Sequence, residues 1–280
     1  LVIYIFYWHG QLDALPVCFL VWSIAKLQAG KTKIAAILLG MALSAKLSML
    51  VAIPFIFIYL YRNKRLSTKL PTLLGYISLT YFISIVPFIG SEYFLSMVLK
   101  TPETGRLFSV YLNYGYELKL FLLPIAYFVT LYLIWRLERI TLDLFLISVG
   151  VGFFALLLLL PPAPGWFAWV IPFLVFYQLR SHDHYLLTSV PFFIFYLIYN
   201  LLYSTGADIF LLNAETSKPL VNFVQFEDLK FKSLIFTALQ ASGLIVCVRM
   251  YLFGILRNNY YSGFKNKFGI GISGYVPKNL

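Results

Sequence analysis

Long apolar runs separated by short loops constrain this chain more than any other feature. The runs lie at approximately 13–28, 34–60, 71–89, 118–135, 142–160, 166–179, 185–204 and 233–255. Most have the length of a membrane helix, for which about 20 apolar residues suffice. A lipid-exposed backbone must satisfy its hydrogen bonds internally, so runs of this length point to helices. Only 12% of the residues are charged, about half of what a soluble domain carries. The 27 Phe and 21 Tyr residues also suit aromatic girdles at a membrane surface. The expected fold is therefore all-α: a polytopic transmembrane helix bundle forming a single domain over residues 1–280.

The formal net charge of +11 would suggest nucleic acid in a soluble protein. Here the basic residues sit between apolar runs and set orientation instead. Lys26, Lys31 and Lys33 mark one cytoplasmic turn; Arg62, Lys64, Arg65 and Lys69 mark the next. Arg136 and Arg139, then Arg180, then the tail with Arg257, Lys265, Lys267 and Lys278 continue the series. The opposite loops are longer and hold most of the acids: Asp13, Glu92, Glu103, Glu117, Asp208, Glu215, Glu227 and Asp228. The expected partner is the lipid bilayer, with no nucleic acid.

Run 34–60 lies between two basic loops that both read as cytoplasmic, so a single crossing would put one of them outside. The run is long for one span but suffices for two half-helices. A hairpin turning at Ser44-Ala45-Lys46-Leu47-Ser48 returns the chain to the cytoplasm and carries Lys46 toward the outer face. Every later loop then falls on the side its charges indicate. A half-helix hairpin thus joins the expected fold.

Leu1 to Trp8 are apolar, yet eight helical residues rise only about 12 Å, too short to cross a bilayer. No basic segment precedes them as in a signal peptide. The expectation is a helix whose beginning is missing, in a domain incomplete at its N-terminus. Cys18 and Cys247 lie far apart inside apolar runs and form no metal-spaced pair.

Three motifs resemble chemistry without its context. Ala25-Lys26-Leu27-Gln28-Ala29-Gly30-Lys31-Thr32 nearly matches a phosphate loop, but no strand precedes it and Ala25 stands where the first Gly should be. It reads as a basic turn between membrane segments. Gly269-Ile270-Gly271-Ile272-Ser273-Gly274 has neither the strand nor the acid of a dinucleotide fingerprint. His182-Asp183-His184 would point its two imidazoles apart on a helix and offers no fourth ligand. No metal ligands are assigned and no cofactor is expected.

Other residues are costly where they stand. His9-Gly10-Gln11-Leu12-Asp13 opens a membrane helix at its outer mouth, where His9 and Asp13 share a face at helical spacing. Asp13 and Gln11 also suit ordinary capping of free N–H groups. Lys46 interrupts an apolar run at a cost of about 2.5–3.5 kcal/mol on insertion scales. At an outer hairpin tip its ammonium would suit a lipid phosphate, or would merely snorkel. On the outer rim stand Glu92, Arg106, Tyr111 to Tyr116 and Trp166. There, girdle packing and a local Glu103–Arg106 pair compete with a binding role.

Trp8-His9-Gly10-Gln11-Leu12-Asp13-Ala14-Leu15, a basic turn, then Leu39-Gly40-Met41-Ala42-Leu43-Ser44-Ala45-Lys46 and Pro54 resemble the GT-C superfamily of polytopic glycosyltransferases. The resemblance is to the polyprenyl-phosphate-mannose-dependent mannosyltransferases in particular, the GPI mannosyltransferase I group among them. Pro164-Gly165-Trp166-Phe167-Ala168-Trp169 with Pro172 resembles a later helix of that group. The strong part covers about residues 5–60 and the second patch about 160–180.

The resemblance implies a GT-C-like enzyme in the plasma (inner) membrane, with the endoplasmic reticulum as the alternative. It would move a sugar, such as mannose, from a polyprenyl-phosphate sugar to a glycan or lipid acceptor, using that lipid sugar as substrate and no cofactor. The expected binding residues are His9, Gln11, Asp13, Lys46, Arg106 and Trp166. Lys46 would hold the phosphate, and Asp13 would lie about 10–15 Å away across the bound headgroup. The carboxylate base of this family precedes His9, so no catalytic residue is assigned. A flippase of lipid-linked sugars and a glycan polymerase or ligase are the competing classes.

Overall fold

A computed structural model describes residues 12–99, 105, 107–137, 140–159, 164–180, 185–203 and 229–256. Helices α1 (Ala14–Gln28) and α2 (Thr32–Ala45) come first, followed by a 3₁₀ turn (Leu47–Ala52) and α3 (Ile53–Arg62). Then come a single turn α4 (Lys64–Ser67), α5 (Leu70–Ile85) and α6 (Glu92–Leu99). Strands β1 (Tyr111–Gly115) and β2 (Leu118–Phe121) lead into α7 (Leu122–Trp135) and α8 (Leu142–Leu159). A further 3₁₀ turn (Pro164–Trp169) precedes α9 (Ile171–Arg180), α10 (Tyr185–Tyr203) and α11 (Leu229–Arg249), and Met250–Leu256 winds on as a π-helix.

The described residues are mostly helical, and among them three segments are long and apolar enough to cross a membrane. They are Leu70–Phe88, Leu142–Leu159 and Lys230–Leu252, with mean hydropathies of 1.5, 2.5 and 1.7. Their apolar residues are not confined to one stripe, unlike those of a helix at the surface of a soluble protein. Leu79, Phe82 and Ile83 on α5 and Phe128 and Tyr132 on α7 remain exposed. That much apolar surface needs lipid or another apolar partner to cover it.

Helix α8 is the centre of the core. It carries buried residues on all sides and packs on α3, α7, α9, α11 and the 3₁₀ turns Leu47–Ala52 and Pro164–Trp169. Gly152 lets the Phe55 ring lie against the α8 backbone, where a Cβ would overlap it. Tyr59 stacks on Phe145 with ring centroids 4.6 Å apart. Together with Phe55 at Gly152, this makes α3 and α8 antiparallel. Helix α7 runs parallel to α3. Tyr127 donates to the Val51 carbonyl at 3.0 Å and meets Phe55 edge-on, while Tyr61 stacks on Trp135.

These directions bring Lys33 and Arg62 to one end of the bundle, away from Lys46. Ser23 donates to the Ala35 carbonyl at 2.6 Å where α1 and α2 approach their turn. Gly30 closes α1 with φ +73, a conformation that Gly adopts without a Cβ clash. The Ala25–Thr32 motif is thus a helix–turn–helix with no strand before it. Lys33 lies over Tyr76 of α5. Arg62 reaches the Trp135 carbonyl and covers the Trp135 ring. Tyr177 donates to the Arg249 carbonyl at 3.4 Å, with Gly254 against Ile147 and Tyr177.

Two runs depart from the expected helices, and a third breaks where the sequence places its turn. Residues 118–135 do not form one element: Leu118–Phe121 pairs antiparallel with Tyr111–Gly115, and only Leu122–Trp135 is helical. The expected all-α fold therefore carries a small β-hairpin. Tyr116 and Glu117 turn it at positive φ, and a register shift falls between Asn113 and Gly115. Run 166–179 begins as a 3₁₀ turn, with Pro164 at its first position and Pro172 inside the first turn of α9. Run 34–60 breaks at Lys46, whose backbone is extended at φ −157, ψ 116. Leu1 to Trp8, His182–His184 and Gly269–Gly274 lie outside the described residues.

Candidate functional site

Asp13 stands directly before α1 with helical backbone angles, and its side chain makes no capping hydrogen bond. It crosses instead to the far end of α2, where its Oδ1 accepts from Lys46 Nζ in an ion pair. Two features bring them together. Helices α1 and α2 are antiparallel, so the start of one faces the end of the other. Lys46 is also where α2 stops: its N–H still bonds the Ala42 carbonyl, while its carbonyl accepts from Met49 in the following 3₁₀ turn.

Burial is uneven across this pair. Asp13 is only 3% exposed, whereas the Lys46 side chain retains 31% of its surface. A carboxylate so enclosed loses its hydration, and a cation at contact offsets that loss. This corrects the expected 10–15 Å separation: the two groups touch. The low dielectric that makes each charge costly alone also makes contact the favourable arrangement.

The indole of Trp169 forms the third side. Lys46 Nζ lies 5.3 Å from the centre of its ring, within cation–π range. Trp169 stacks on Trp166 at 5.5 Å with an interplanar angle of 17°. The 3₁₀ turn explains the stacking, because residues three apart eclipse in that helix. Phe153 of α8 meets Trp169 at 6.0 Å and locks the turn onto the core. Both tryptophans are buried.

Polar capacity remains unused at this point. Asp13 Oδ2 and Trp169 Nε1 are buried with no hydrogen-bond partner among the described residues, and so is Ser48 Oγ two residues beyond Lys46. Buried polar groups are ordinarily paired, so Asp13 and Trp169, both in contact with Lys46, leave polar capacity there for a ligand. The set offers an ammonium, an indole N–H, a free carboxylate oxygen and a flat aromatic stack. It suits an anion, with an apolar or sugar face lying against the rings.

Of the expected site residues, Asp13, Lys46 and Trp166 converge here, Trp166 through Trp169. His9, Gln11 and Arg106 lie outside the described residues. The rim residues Glu92 and Tyr111–Tyr116 sit on α6 and the β-hairpin. The ion pair, hydrogen bonds and ring contacts of Asp13, Lys46 and Trp169 involve none of them. Trp169 is the residue that sequence reasoning passed over. Its spacing of three from Trp166 behind Pro164 was the available signal, but as an aromatic near an interface it reads as girdle.

Among the described residues no three His, Cys, Asp or Glu side chains gather as metal ligands. Comparison with protein-family models, curated proteins and solved structures gives no match for this chain.

Proposed function

We propose that this chain belongs to a multi-pass membrane glycosyltransferase of the GT-C type. It moves a sugar, such as mannose, from a polyprenyl-phosphate donor to a lipid-linked or extracytoplasmic acceptor. One observation carries the reading. The two patches that resemble that superfamily are far apart in sequence, and Asp13 and Lys46 from the first meet Trp169 from the second at one point.

The basic end of the bundle is the cytoplasmic end in this proposal, by the positive-inside rule. Helices α2 and α3 are the two halves of the hairpin, with Lys46 at its outer tip. The break in α2 at Lys46 supports this. So does α5, which runs parallel to α2, with Lys33 at Tyr76 and Gly40 at Thr80, and begins shortly after α3 ends.

The chemistry follows from the groups present. The acceptor hydroxyl oxygen attacks the anomeric carbon, and the bond from that carbon to the phosphate oxygen breaks with its electron pair on the phosphate. The hydroxyl proton passes to a carboxylate base, a role assigned to no residue of this chain. Charge builds on the departing phosphate, and Lys46 stabilises it there, which is where a fixed cation contributes most. The Trp166–Trp169 stack lies beside it as a face for the sugar or the first prenyl units.

Sugar transfer from a defined polyprenyl-phosphate mannose, by membranes carrying the full-length protein, tests this. Lys46→Ala is expected to lower kcat/KM roughly 100-fold, on the scale of losing one preorganised donor. Lys46→Arg is expected to keep part of the activity. Unchanged transfer in Lys46→Ala would remove the site. Transfer absent from the wild type with every donor, together with movement of lipid-linked sugar across vesicles, would move the protein to the flippase class.

A further inference from the structure

The Asp13–Lys46 pair is poorly built as a permanent structural bridge. A buried ion pair offsets its desolvation best when hydrogen bonds satisfy its remaining lone pairs. Among the described residues Asp13 Oδ2 is buried without a partner, and so is the neighbouring Trp169 Nε1. The ammonium is the partner open to an incoming ligand, at 31% exposed, while the carboxylate behind it is enclosed. The backbone that carries the ammonium is an extended residue between two helical segments, not the interior of a helix. A pair of this kind is suited to exchange.

Resting on the function proposed above, we infer that Asp13 is a competitor built into the phosphate site. Its carboxylate holds Lys46 before the donor binds, yields it as the leaving phosphate gains charge, and reclaims it as the polyprenyl phosphate departs. The donor is a phosphodiester with one negative charge. The product is a phosphate monoester, which carries about −1.5 to −2 at neutral pH. The ammonium therefore shifts from Asp13 toward the phosphate as the bond to the sugar breaks, so its stabilisation grows toward the transition state. The product would then bind its cation too well. The enclosed Asp13 carboxylate opposes that by repelling the product and competing for the same N–H groups. Trp169 Nε1–H supplies a neutral donor for a phosphate oxygen during the exchange.

The ligand chemistry is a phosphate monoester, and equilibrium binding to the purified full-length protein tests the exchange. The probes are a defined polyprenyl monophosphate and inorganic phosphate. Asp13→Asn and Asp13→Ala, which remove the competing charge, are expected to bind the lipid probe roughly tenfold tighter than wild type, the scale of one modest charge interaction. Asp13→Glu, which keeps the charge, is expected to stay near wild type. Adding Lys46→Ala to Asp13→Asn is expected to abolish the gain. Inorganic phosphate gaining in parallel would mean that the site takes the anion itself; a gain for the lipid probe alone would mean that the prenyl tail seats it. If the wild type binds polyprenyl monophosphate and neither neutral variant binds it more tightly, the competitor role is wrong while the function proposed above survives. If neither the wild type nor any variant binds it, both fall together.

Discussion

At the scale of single residues, two charged groups stood out because each is costly in an apolar run. Asp13 and Lys46 were legible for that reason. Their contact was not. They are 33 positions apart, and their meeting depends on where α2 stops, which hydropathy does not reveal. The capping alternative for Asp13 was sound in propensity but lost to the stronger demand of an enclosed carboxylate for a cation. The energetic consequence can be measured. Lys46→Ala leaves Asp13, 3% exposed, with neither oxygen paired. A cost of about 2 kcal/mol in stability is expected, below the figure for a fully enclosed pair because water reaches Lys46. Thermal unfolding in detergent would show it as a lower Tm, and the double variant Asp13→Asn/Lys46→Ala should regain most of the loss. Equal Tm values for wild type and Lys46→Ala would mean that the pair contributes nothing to the fold.

At the scale of elements, apolar length located the helices well and located their ends poorly. Residues 142–160 became α8 almost unchanged, because one uniformly apolar stretch bounded by polar loops has a single helical solution in lipid. Residues 118–135 hid two elements. Leu118, Lys119 and Leu120 alternate as a strand does, but their apolar members merge with the helix that follows when only hydropathy is read. Aromatic packing between elements was also beyond reach from one sequence, and Gly152 illustrates it. A Cβ there would overlap the Phe55 ring, which the Tyr127 ring meets edge-on from α7. Gly152→Val is expected to destabilise the protein by about 1–3 kcal/mol, the usual range for overpacking. Phe55→Leu in the same chain should relieve part of that loss by shortening the group that clashes. Detergent melting of the two single variants and the double variant would settle it, with strict additivity as the outcome that rules out the contact.

At the scale of the whole molecule, the charge pattern and the packing directions were obtained independently and they agree. The sequence groups Lys26, Lys33, Arg62, Lys69 and Arg136 by the sign of their loops. The structure groups their helix ends by contact: α1 with α2 at the Ser23–Ala35 crossing, α2 with α5 at Lys33, and α3 with α7 at Arg62. Lys46, Asp13 and the 164–169 turn meet where α1 begins and α2 stops, at the opposite ends of those helices. This agreement makes orientation the most informative property to measure. In a variant of the full-length protein lacking Cys18 and Cys247, single cysteines at Lys33 and Arg136 should react with a membrane-impermeant maleimide only from the cytoplasmic side. Single cysteines at Glu92 and Lys119 should react only from the other side. Position 46 is the discriminating one. The flanking residues Lys33 and Arg62 both belong to the basic end, so an odd number of crossings between them is excluded if both label from the cytoplasm. A cysteine at 46 that labels from outside, alone or once a polyprenyl phosphate is washed out, would then require the chain to cross and return within 34–60. Labelling of position 46 from the cytoplasm would instead make that segment an embedded turn opening inward. It would put the Asp13–Lys46–Trp169 cluster on the wrong face for a polyprenyl-phosphate donor that is used outside.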